Sequence, residues 1–242
     1  MSNVPLVSVI ISAYNVEKYI QGSIQSILNQ RYSNLEVVIA DDASTDDTRM
    51  IIDSISDPRI RRYHNDENKG LLKTWNALLA FTEGDYITFQ DGDDISLPSR
   101  IENLVSFLEN NPDIGLCGSN FIRYFSFWGL HQKSNYPLSD QAIRSEFKKE
   151  IVPFNGTRVM IRRNVYLAVG GFREYFNGLA AEDYDWILRI ADHFKLANIP
   201  DVLYVYRYFS KSASKNSLQS PVERIFVTKI IFFLKQQRAE LG

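Results

Sequence analysis

The sequence contains little cysteine and no long apolar run. Its one cysteine, Cys117, cannot pair within the chain, which excludes a fold held together by internal disulfides. No stretch approaches the roughly 18 apolar residues of a membrane-spanning helix. Residues 1–16 also lack the charged and apolar regions of a signal peptide. We therefore expect a soluble, cytoplasmic protein.

An excess of charge of either sign is also missing. Lys and Arg number 27 against 29 Asp and Glu, which leaves a net charge of −2. No overall basic field would attract nucleic acid, so we expect no nucleic-acid partner. The 242 residues, 45% of them hydrophobic, are enough to bury the core of one α/β domain. Since no linker or repeat interrupts the chain, we predict a single domain over 1–242.

Strand and helix patterns alternate four times in the first hundred residues. Apolar runs predict strands at 7–11, 35–39, 59–64 and 86–89. Each is followed by apolar residues at helical spacing; a capping box at Ser44 and Asp47 and the proline Pro98 predict where two of these helices begin. This alternation predicts a doubly wound, mainly parallel sheet. The less regular second half predicts strands at 157–161 and 202–208 and a helix at 182–193.

Polar clusters follow three of the predicted strands. In doubly wound sheets, ligands bind at the carboxyl ends of the strands, which here are 12–14, 41–42 and 91–93. The turn after the first strand has no glycine, so a dinucleotide loop of the G-x-G-x-x-G type is absent, and so is a phosphate-binding P-loop. A diphosphate bound at this rim would therefore need another source of positive charge, such as a metal ion.

Asp91-Gly92-Asp93 has the spacing of a carboxylate metal site. Residues i and i+2 of an extended segment point the same way, and Gly92 permits a close approach. Oxygen ligands of this kind suit Mg²⁺ or Mn²⁺ shared with substrate phosphates; an ordinary acidic surface turn is the alternative. Asp41 and Asp42 are either turn residues or acceptors for a nucleobase imide N–H. Tyr14 either packs on the turn or offers a face to the base.

Five segments in series resemble glycosyltransferase family 2 enzymes with the GT-A fold. They are PLVSVIISAYN at 5–15, VIADDASTD at 38–46, NKGL at 68–71, DGDD at 91–94, and GGF at 170–172 followed by AAEDYDW at 180–186. The likeness extends over roughly residues 5–215 and is greatest to small bacterial transferases that build lipooligosaccharide, O-antigen or capsule glycans. It implies a nucleotide-sugar-binding half over 1–100, an irregular acceptor-binding and catalytic half over 101–215, and a C-terminal amphipathic helix over 216–242.

The resemblance also implies the reaction and the site residues. The protein would be an inverting transferase that moves a hexosyl or N-acetylhexosaminyl unit from a UDP-sugar to an acceptor hydroxyl on a glycan or a lipid-linked glycan. Asp183 would be the general base, kept ionised by its place at the start of a helix. The donor and the metal would be bound by Ser12, Tyr14, Glu17, Asp42, Asn68, Gly70, Asp91, Gly92 and Asp93, with Asp93 as the direct metal ligand. Acceptor-side or supporting residues would be Glu182, Trp186 and Arg207.

Some features depart from the family pattern or stay open. Phe209 stands where many relatives carry a metal-binding histidine. A non-catalytic nucleotide-sugar binder therefore remains an alternative, whereas a sugar nucleotidyltransferase would need a glycine-rich basic loop after the first strand. The acceptor should meet residues 120–155 and the surroundings of Phe176. The segment Arg224–Lys235 either lies on the inner membrane face or packs on the domain or on a second copy in a homodimer.

Overall fold

One mixed sheet runs through the described part of the chain. The computed structural model describes residues 4–125, 130–154, 156, 158–179, 182–208 and 221–241. The strands are β1 Val7–Ala13, β2 Leu35–Asp41, β3 Ile60–His64, β4 Tyr86–Asp91, β5 Ile95–Ser96, β6 Ile114–Phe125, β7 Leu130–Lys133, β8 Met160–Arg162 and β9 Lys195–Tyr208. The helices are α1 Ile20–Leu28, α2 Thr48–Ser54, α3 Leu71–Leu79, α4 Arg100–Asn110, α5 Asp140–Phe147, α6 Arg163–Val169, α7 Glu182–His193 and α8 Pro221–Leu241, with a 3₁₀ turn at Glu174–Phe176.

The strand order is β3-β2-β1-β4-β8-β6-β9-β5, and β7 pairs with β6 outside this path. Strands β1 to β4 are parallel to one another. Strand β8 is antiparallel to both β4 and β6, while β6 and β9 run parallel with register shifts. The predicted α/β fold with a parallel first half is confirmed, and the change of direction at β8 begins the less regular second half.

Helices cover both faces of the parallel strands, which explains why those strands read as continuous apolar runs. On one face Ile10 and Phe89 lie in a buried cluster with Trp75 of α3. On the other face Val9 lies in a second cluster with Ile24 of α1. Alternate residues of β1 thus enter different cores, as the pleat of a strand requires. This double packing holds the carboxyl ends of β1, β2 and β4 rigidly at one rim.

Two predicted helix starts differ from the structure. Helix α2 begins at Thr48, and no side chain caps it from the Asp47 position, so the capping box is wrong. Ser44 Oγ instead accepts a hydrogen bond from the Asn15 backbone N–H at 3.0 Å. Pro98 lies ahead of α4, which begins at Arg100. The contact with Asn15 takes the Ser44 hydroxyl away from the start of α2, whereas α4 simply begins two residues after Pro98.

The C-terminal helix α8 packs its inner face on α7. Val227 is 7% exposed and Ile231 is fully buried, and Lys235 and Arg238 each contact Asp192 at 2.7 Å. Packing on the domain is therefore confirmed for this face. The outer face leaves three large apolar side chains 58–63% exposed: Ile225, Phe226 and Phe233. Within the described residues, no helix has the length and apolar character needed to cross a bilayer.

Candidate functional site

The parallel register brings the three polar strand ends to one rim. Ser12 lies opposite Asp91 on β4, and Ala13 lies opposite Asp41 on β2. The Asp42 backbone N–H then donates to the Ala13 carbonyl at 2.8 Å. The sequence predicted this juxtaposition from the ends of the apolar runs, and the sheet topology produces it.

An acidic cluster occupies the end of β4. Carboxylate oxygens of Asp91, Asp93 and Asp94 lie within 4.8 Å of one another. Gly92 allows this turn to pack tightly, since a Cβ there would lie 3.1 Å from the Val16 side chain. Asp94, which the sequence analysis did not single out, is fully buried, and its Oδ1 accepts the Arg207 backbone N–H at 2.8 Å. The cluster is therefore tied to β9 as well as to β4.

The cluster fits a divalent cation. Three carboxylates offer the hard oxygen ligands that Mg²⁺ and Mn²⁺ prefer, and each of these ions takes one or two carboxylates together with substrate phosphates. Asp94 Oδ2 is buried and accepts no hydrogen bond from the described residues. Its nearest cationic group is Arg158 Nε, at 3.3 Å. Both the donor set and this unsatisfied oxygen are compatible with a metal ion.

Arg158 faces the cluster from the segment just before β8. Its guanidinium forms an ion pair with Asp91 and lies against Asp94. The Arg158 side chain is 15% exposed and lies over the rings of Tyr204 and Tyr206, at 5.5 and 5.0 Å from their centroids. Sequence reasoning missed Arg158, because it belongs to no motif; a lone cation directly before the apolar run Val159–Ile161 was its only signal.

A second arginine lies behind the cluster. Arg100 is fully buried, and its guanidinium sits 5.1 Å from the centre of the Tyr204 ring. It donates to neutral oxygens, including Ser96 Oγ at 2.9 Å and Thr88 Oγ1 at 2.8 Å. Burial lowers the pKa of Arg100 to about 10, so the group keeps its positive charge at neutral pH. The guanidinium groups of Arg100 and Arg158 therefore both lie over the ring of Tyr204.

Burial and mutual repulsion shape the titration of the carboxyl groups. Burial, and next the charge of Asp91, raises the pKa of Asp93 to about 6. Burial also raises the pKa of Asp94 well above its usual value, against the opposing effect of Arg158. The pKa of Asp183 is raised to about 6 by burial, again opposed by Arg158. All three shifts follow from removing negative charge from water in one small region.

Asp183 approaches this region from the second half of the chain. It is the second residue of α7, and its Oδ1 accepts the Tyr184 backbone N–H at 3.1 Å. A Cβ at Gly156 would lie 3.0 Å from Asp183 Oδ2 and 3.1 Å from Arg158 Nη1. Asp183 and Arg158 therefore converge beside Gly156. Residues 180 and 181 and the side chain of Glu182 lie outside the described part of the chain.

Asp42 anchors the loop that leads into α3. Its Oδ1 accepts from Asn65 Nδ2 at 2.7 Å and from the Lys69 backbone N–H at 3.0 Å. Its Oδ2 accepts from the Gly70 N–H at 2.9 Å, and the residue is only 2% exposed. Tyr14 is 46% exposed on the same rim. The contact of Asp42 with a nucleobase stays a prediction, whereas its role in shaping the loop is direct.

Other predicted donor residues lie at the rim or brace it. Glu17 Oε2 accepts the Asp47 backbone N–H at 3.1 Å, at the start of α2. Asn15, which is not among the predicted site residues, adopts a φ of 53°. Its Oδ1 accepts the Thr45 backbone N–H at 2.8 Å. Glu17 and Asn15 therefore hold the turn after β1 against the turn after β2. Asn68 is exposed on the loop ahead of α3.

Trp186, expected to be an acceptor-side or a supporting residue, is enclosed in the core, which favours the supporting position. Trp186 is fully buried, its ring is 4.6 Å from that of Phe172, and its Nε1 donates to the Gly170 carbonyl at 3.1 Å. Phe176 is also buried, at 2% exposure. Trp186 therefore supports the glycine turn before α7 from inside the core, and Phe176 lies in the same buried cluster.

Arg207 does reach the acidic cluster. Its Nη1 donates to the Asp93 carbonyl at 3.4 Å, and its guanidinium lies 5.6 Å from the centre of the Tyr19 ring. The structure therefore brings together Asp91, Asp93, Asp183 and Arg207, around the unpredicted Arg158. Phe209, the residue at the position of the family histidine, lies outside the described part of the chain.

The fold and the site together define a class of protein. A parallel sheet with carboxylates at its rim, joined to a half that supplies a carboxylate at a helix start, is the GT-A fold of glycosyltransferases. The model of the family described as "Glycosyl transferase family 2" matches residues 8–176, more than half of the chain. The protein belongs to glycosyltransferase family 2, as the sequence resemblance predicted.

Relatives and solved structures agree with this assignment. The chain is 32% identical to EpsE of Bacillus subtilis over 227 residues, which is 92% of this chain and 80% of EpsE. It is 43% identical over 104 residues to the Escherichia coli enzyme WfaP, a UDP-Glc:α-D-GlcNAc-diphosphoundecaprenol β-1,3-glucosyltransferase; that stretch is 43% of this chain and 41% of WfaP.

Two solved structures share the fold at low sequence identity. TarS 1–349 of S. aureus in complex with UDP-GlcNAc matches with a TM-score of 0.76 at 20% identity, covering 93% of this chain and 65% of that chain. The mannosyltransferase PcManGT of Pyrobaculum calidifontis, with GDP-Man and Mn²⁺, matches at 0.68 and 20% identity, covering 98% and 65%. The chain thus spans just under two thirds of the length of both solved chains.

Proposed function

We propose that the protein is an inverting glycosyltransferase that moves a hexosyl or N-acetylhexosaminyl unit from a UDP-sugar to an acceptor hydroxyl, in bacterial cell-surface polysaccharide synthesis. The observation that carries the proposal is the convergence of Asp183 with the acidic cluster across Arg158. A base for the acceptor and a cation site for the donor diphosphate are the two requirements of this reaction. The names of WfaP and of the TarS complex, with UDP-Glc and UDP-GlcNAc respectively, support a UDP donor.

On the donor side, Asp93 and Asp91 would hold Mn²⁺ or Mg²⁺. When bound, such an ion neutralises the charge that develops on the departing diphosphate. Ser12 and Tyr14 would meet the uridine on the rim, and Asp42 would keep the loop before α3 in place beside it. Arg207, next to the Asp93 carbonyl, would add positive charge on the diphosphate side.

On the acceptor side, Asp183 would take the proton of the attacking hydroxyl. Its pKa of about 6 leaves it largely ionised at neutral pH and close to the operating pH, which is where a general base works best. The acceptor oxygen forms its bond to the anomeric carbon as the bond to the diphosphate oxygen breaks on the opposite face. A single displacement of this kind inverts the anomeric centre, and a positioned base contributes about 10²–10⁴-fold in rate.

Asp183→Asn tests this assignment. We expect transfer from UDP-sugar to fall by at least about 10²-fold, while UDP with Mn²⁺ still raises the melting temperature. A ligand at about 100 times its dissociation constant stabilises a fold by about 2.7 kcal/mol. Asp113→Asn, which changes an exposed carboxylate paired with Lys195, is the matched control and should keep full activity. Turnover retained in Asp183→Asn would remove Asp183 from the role of base.

The donor is tested with the same thermal-shift measurement. UDP, GDP, CDP and dTDP are compared with and without Mn²⁺, and we expect a metal-dependent shift with UDP that Asp93→Asn removes. A larger shift with GDP would replace the UDP donor by a GDP-sugar, the donor type named for PcManGT. UDP binding without donor hydrolysis or transfer would indicate a non-catalytic nucleotide-sugar-binding relative.

We propose a peripheral membrane contact for the outer face of α8, where a lipid-linked acceptor would be met. Ile225, Phe226 and Phe233 are exposed there, and Lys229 is 63% exposed next to them. An apolar helix face flanked by cations favours binding to anionic lipid. Flotation with anionic vesicles should carry the protein, and Phe226→Ser with Phe233→Ser should abolish it. Failure to float, with a dimer seen in solution, would assign this face to a homodimer instead.

A further inference from the structure

Arg158 stands against the same carboxylates that would hold a divalent ion. Its Nη2 pairs with Asp91 Oδ2, and its Nε lies 3.3 Å from Asp94 Oδ2. Oxygens of both residues belong to the candidate metal cluster with Asp93. A guanidinium and a divalent ion placed at one set of oxygens repel each other and compete for the same lone pairs. The contacts of Arg158 therefore bear directly on metal binding.

The guanidinium does not depend on Asp91 alone for its position. It lies over the rings of Tyr204 and Tyr206, and Tyr204 Oη accepts the Asp91 backbone N–H at 3.2 Å. The two ring faces hold the cation by cation–π attraction, without using its N–H donors. A guanidinium carries five such donors in a planar fork that matches phosphate as well as carboxylate oxygens. Arg158 could thus exchange Asp91 for a diphosphate while it stays on the same ring faces.

We propose that Arg158 is the resident counter-cation of the acidic cluster, that it competes with the divalent ion for Asp91, and that it makes metal capture depend on the donor diphosphate. In the donor-free protein the guanidinium partly neutralises the cluster and weakens its attraction for Mn²⁺. When a nucleoside diphosphate binds, its oxygens accept from Arg158, and Asp91 becomes free for the ion. The diphosphate step rests on the proposed function, whereas the competition does not.

Thermodynamic linkage states what this competition must produce. If the diphosphate raises the affinity for the ion, the ion raises the affinity for the diphosphate by the same factor. Removing Arg158 should raise the affinity of the donor-free protein for Mn²⁺, because the cluster loses its own cation. The same change should reduce the coupling between diphosphate binding and Mn²⁺ binding, because no guanidinium then competes with the ion for Asp91.

The experiment titrates Mn²⁺ into the full chain at pH 7.5 and follows unbound Mn²⁺ by electron paramagnetic resonance. Wild type, Arg158→Met and Arg158→Lys are each measured alone, with UDP and with UMP, which lacks the second phosphate. The matched control is Arg163→Met, because Arg163 donates to the neutral oxygens of Gly84 and Thr82, away from the cluster. Circular dichroism confirms that each variant is folded.

We expect Arg158→Met to bind Mn²⁺ alone at least about 10-fold more tightly than wild type, a difference of about 1.4 kcal/mol. Arg158→Lys, which keeps a charge but loses the fork, should tighten binding by a smaller factor, and it carries the test if the methionine variant fails to fold. UDP, but not UMP, should tighten Mn²⁺ binding more in wild type than in Arg158→Met. Arg163→Met should match wild type.

Unchanged or weaker Mn²⁺ binding in the folded Arg158 variants would overturn the proposal. Tighter Mn²⁺ binding by Arg158→Met, with no effect of UDP on Mn²⁺ binding by wild type or by any variant, would support the competition. The same result would contradict the UDP donor of the proposed function. Equal effects of UDP on wild type and Arg158→Met would overturn the transfer of the guanidinium to the diphosphate. The failure of the inference and that of the proposed function are therefore distinguishable.

Discussion

Replacing Asp93 with asparagine should stabilise the metal-free protein at neutral pH. Burial and the neighbouring Asp91 raise the pKa of Asp93 from 3.8 to about 6. A carboxyl with a raised folded-state pKa binds more protons when folded than when unfolded, so stability falls as pH rises between about 4 and 6. Above that pH window Asp93 is ionised in the folded protein, and the full free-energy cost of its partly buried charge lowers the stability. Asparagine keeps the shape of the side chain and removes the charge.

The magnitude follows from the size of the shift. A change from 3.8 to about 6 is about two units, which at about 1.36 kcal/mol per unit sets an upper bound of about 3 kcal/mol at pH 7. Because Asp93 is partly open to solvent, screening reduces the gain, and we expect about 1–2 kcal/mol. The gain should fall by about half at pH 5, where the folded-state carboxyl is mostly protonated.

Urea unfolding with EDTA at pH 7 and pH 5 measures this difference. Asp113→Asn is the control: the Lys195 side chain holds the pKa of Asp113 below its usual value, so its replacement should bring no stabilisation at pH 7. With Mn²⁺ in place of EDTA the order should reverse, because wild type gains a ligand-linked stabilisation that Asp93→Asn lacks. A gain equal at both pH values, or a loss at pH 7, would refute the reasoning about Asp93.

Three further outcomes are expected. The value of kcat/KM should fall about tenfold per pH unit below about pH 6, because the Asp183 carboxyl, with its pKa raised to about 6, must be ionised to act as the base; a flat profile from pH 5 to 7 would exclude it. Gly70→Ala should cost about 1–3 kcal/mol in urea unfolding, because Gly70 has a φ of +84° and a Cβ there would lie 2.6 Å from Asn177; wild-type stability would contradict this. Asp185→Asn should cost about 3 kcal/mol by leaving the Arg189 charge unpaired while the pH profile of transfer stays unchanged, and a shifted profile would place Asp185 in the chemistry.

The parallel half of the fold could be predicted because its signals are local. Strands β1 and β2 are almost wholly buried, so each reads as an apolar run, and the polar residue after each run marks the rim. Asp91 and Asp93 follow from the same logic, since they come directly after the buried β4. In the second half the helix predicted at 182–193 is α7, whereas the pairing of the strands depends on contacts that no short window contains. Strand β8 is only three residues long and is fixed by antiparallel pairing with β4 and β6.

Arg158 shows why part of the site escaped prediction. It is separated from Asp91 by 67 residues, and the pairing of β8 with β4 brings the two together. Trp186 belongs to the same sequence motif as Asp183 but does not share its surroundings. Asp183 belongs to the first turn of α7, at the rim, whereas Trp186 lies one turn deeper, where the aromatic core of Phe89 and Phe172 encloses it.

Asp183 and Asp185 have the same side chain but lie in different surroundings. Residues i and i+2 of an α-helix point about 200° apart, so Asp183 faces the rim while Asp185 faces inward. Asp185 is 1% exposed and pairs with Arg189 at 3.0 Å, which in turn donates to the Val169 and Gly171 carbonyls. The inward carboxylate is therefore neutralised and fixes α7 to the preceding glycine turn. The raised pKa of Asp183 comes from its own burial, opposed by Arg158, and its proposed role as a base would rely on the helix that Asp185 holds in place.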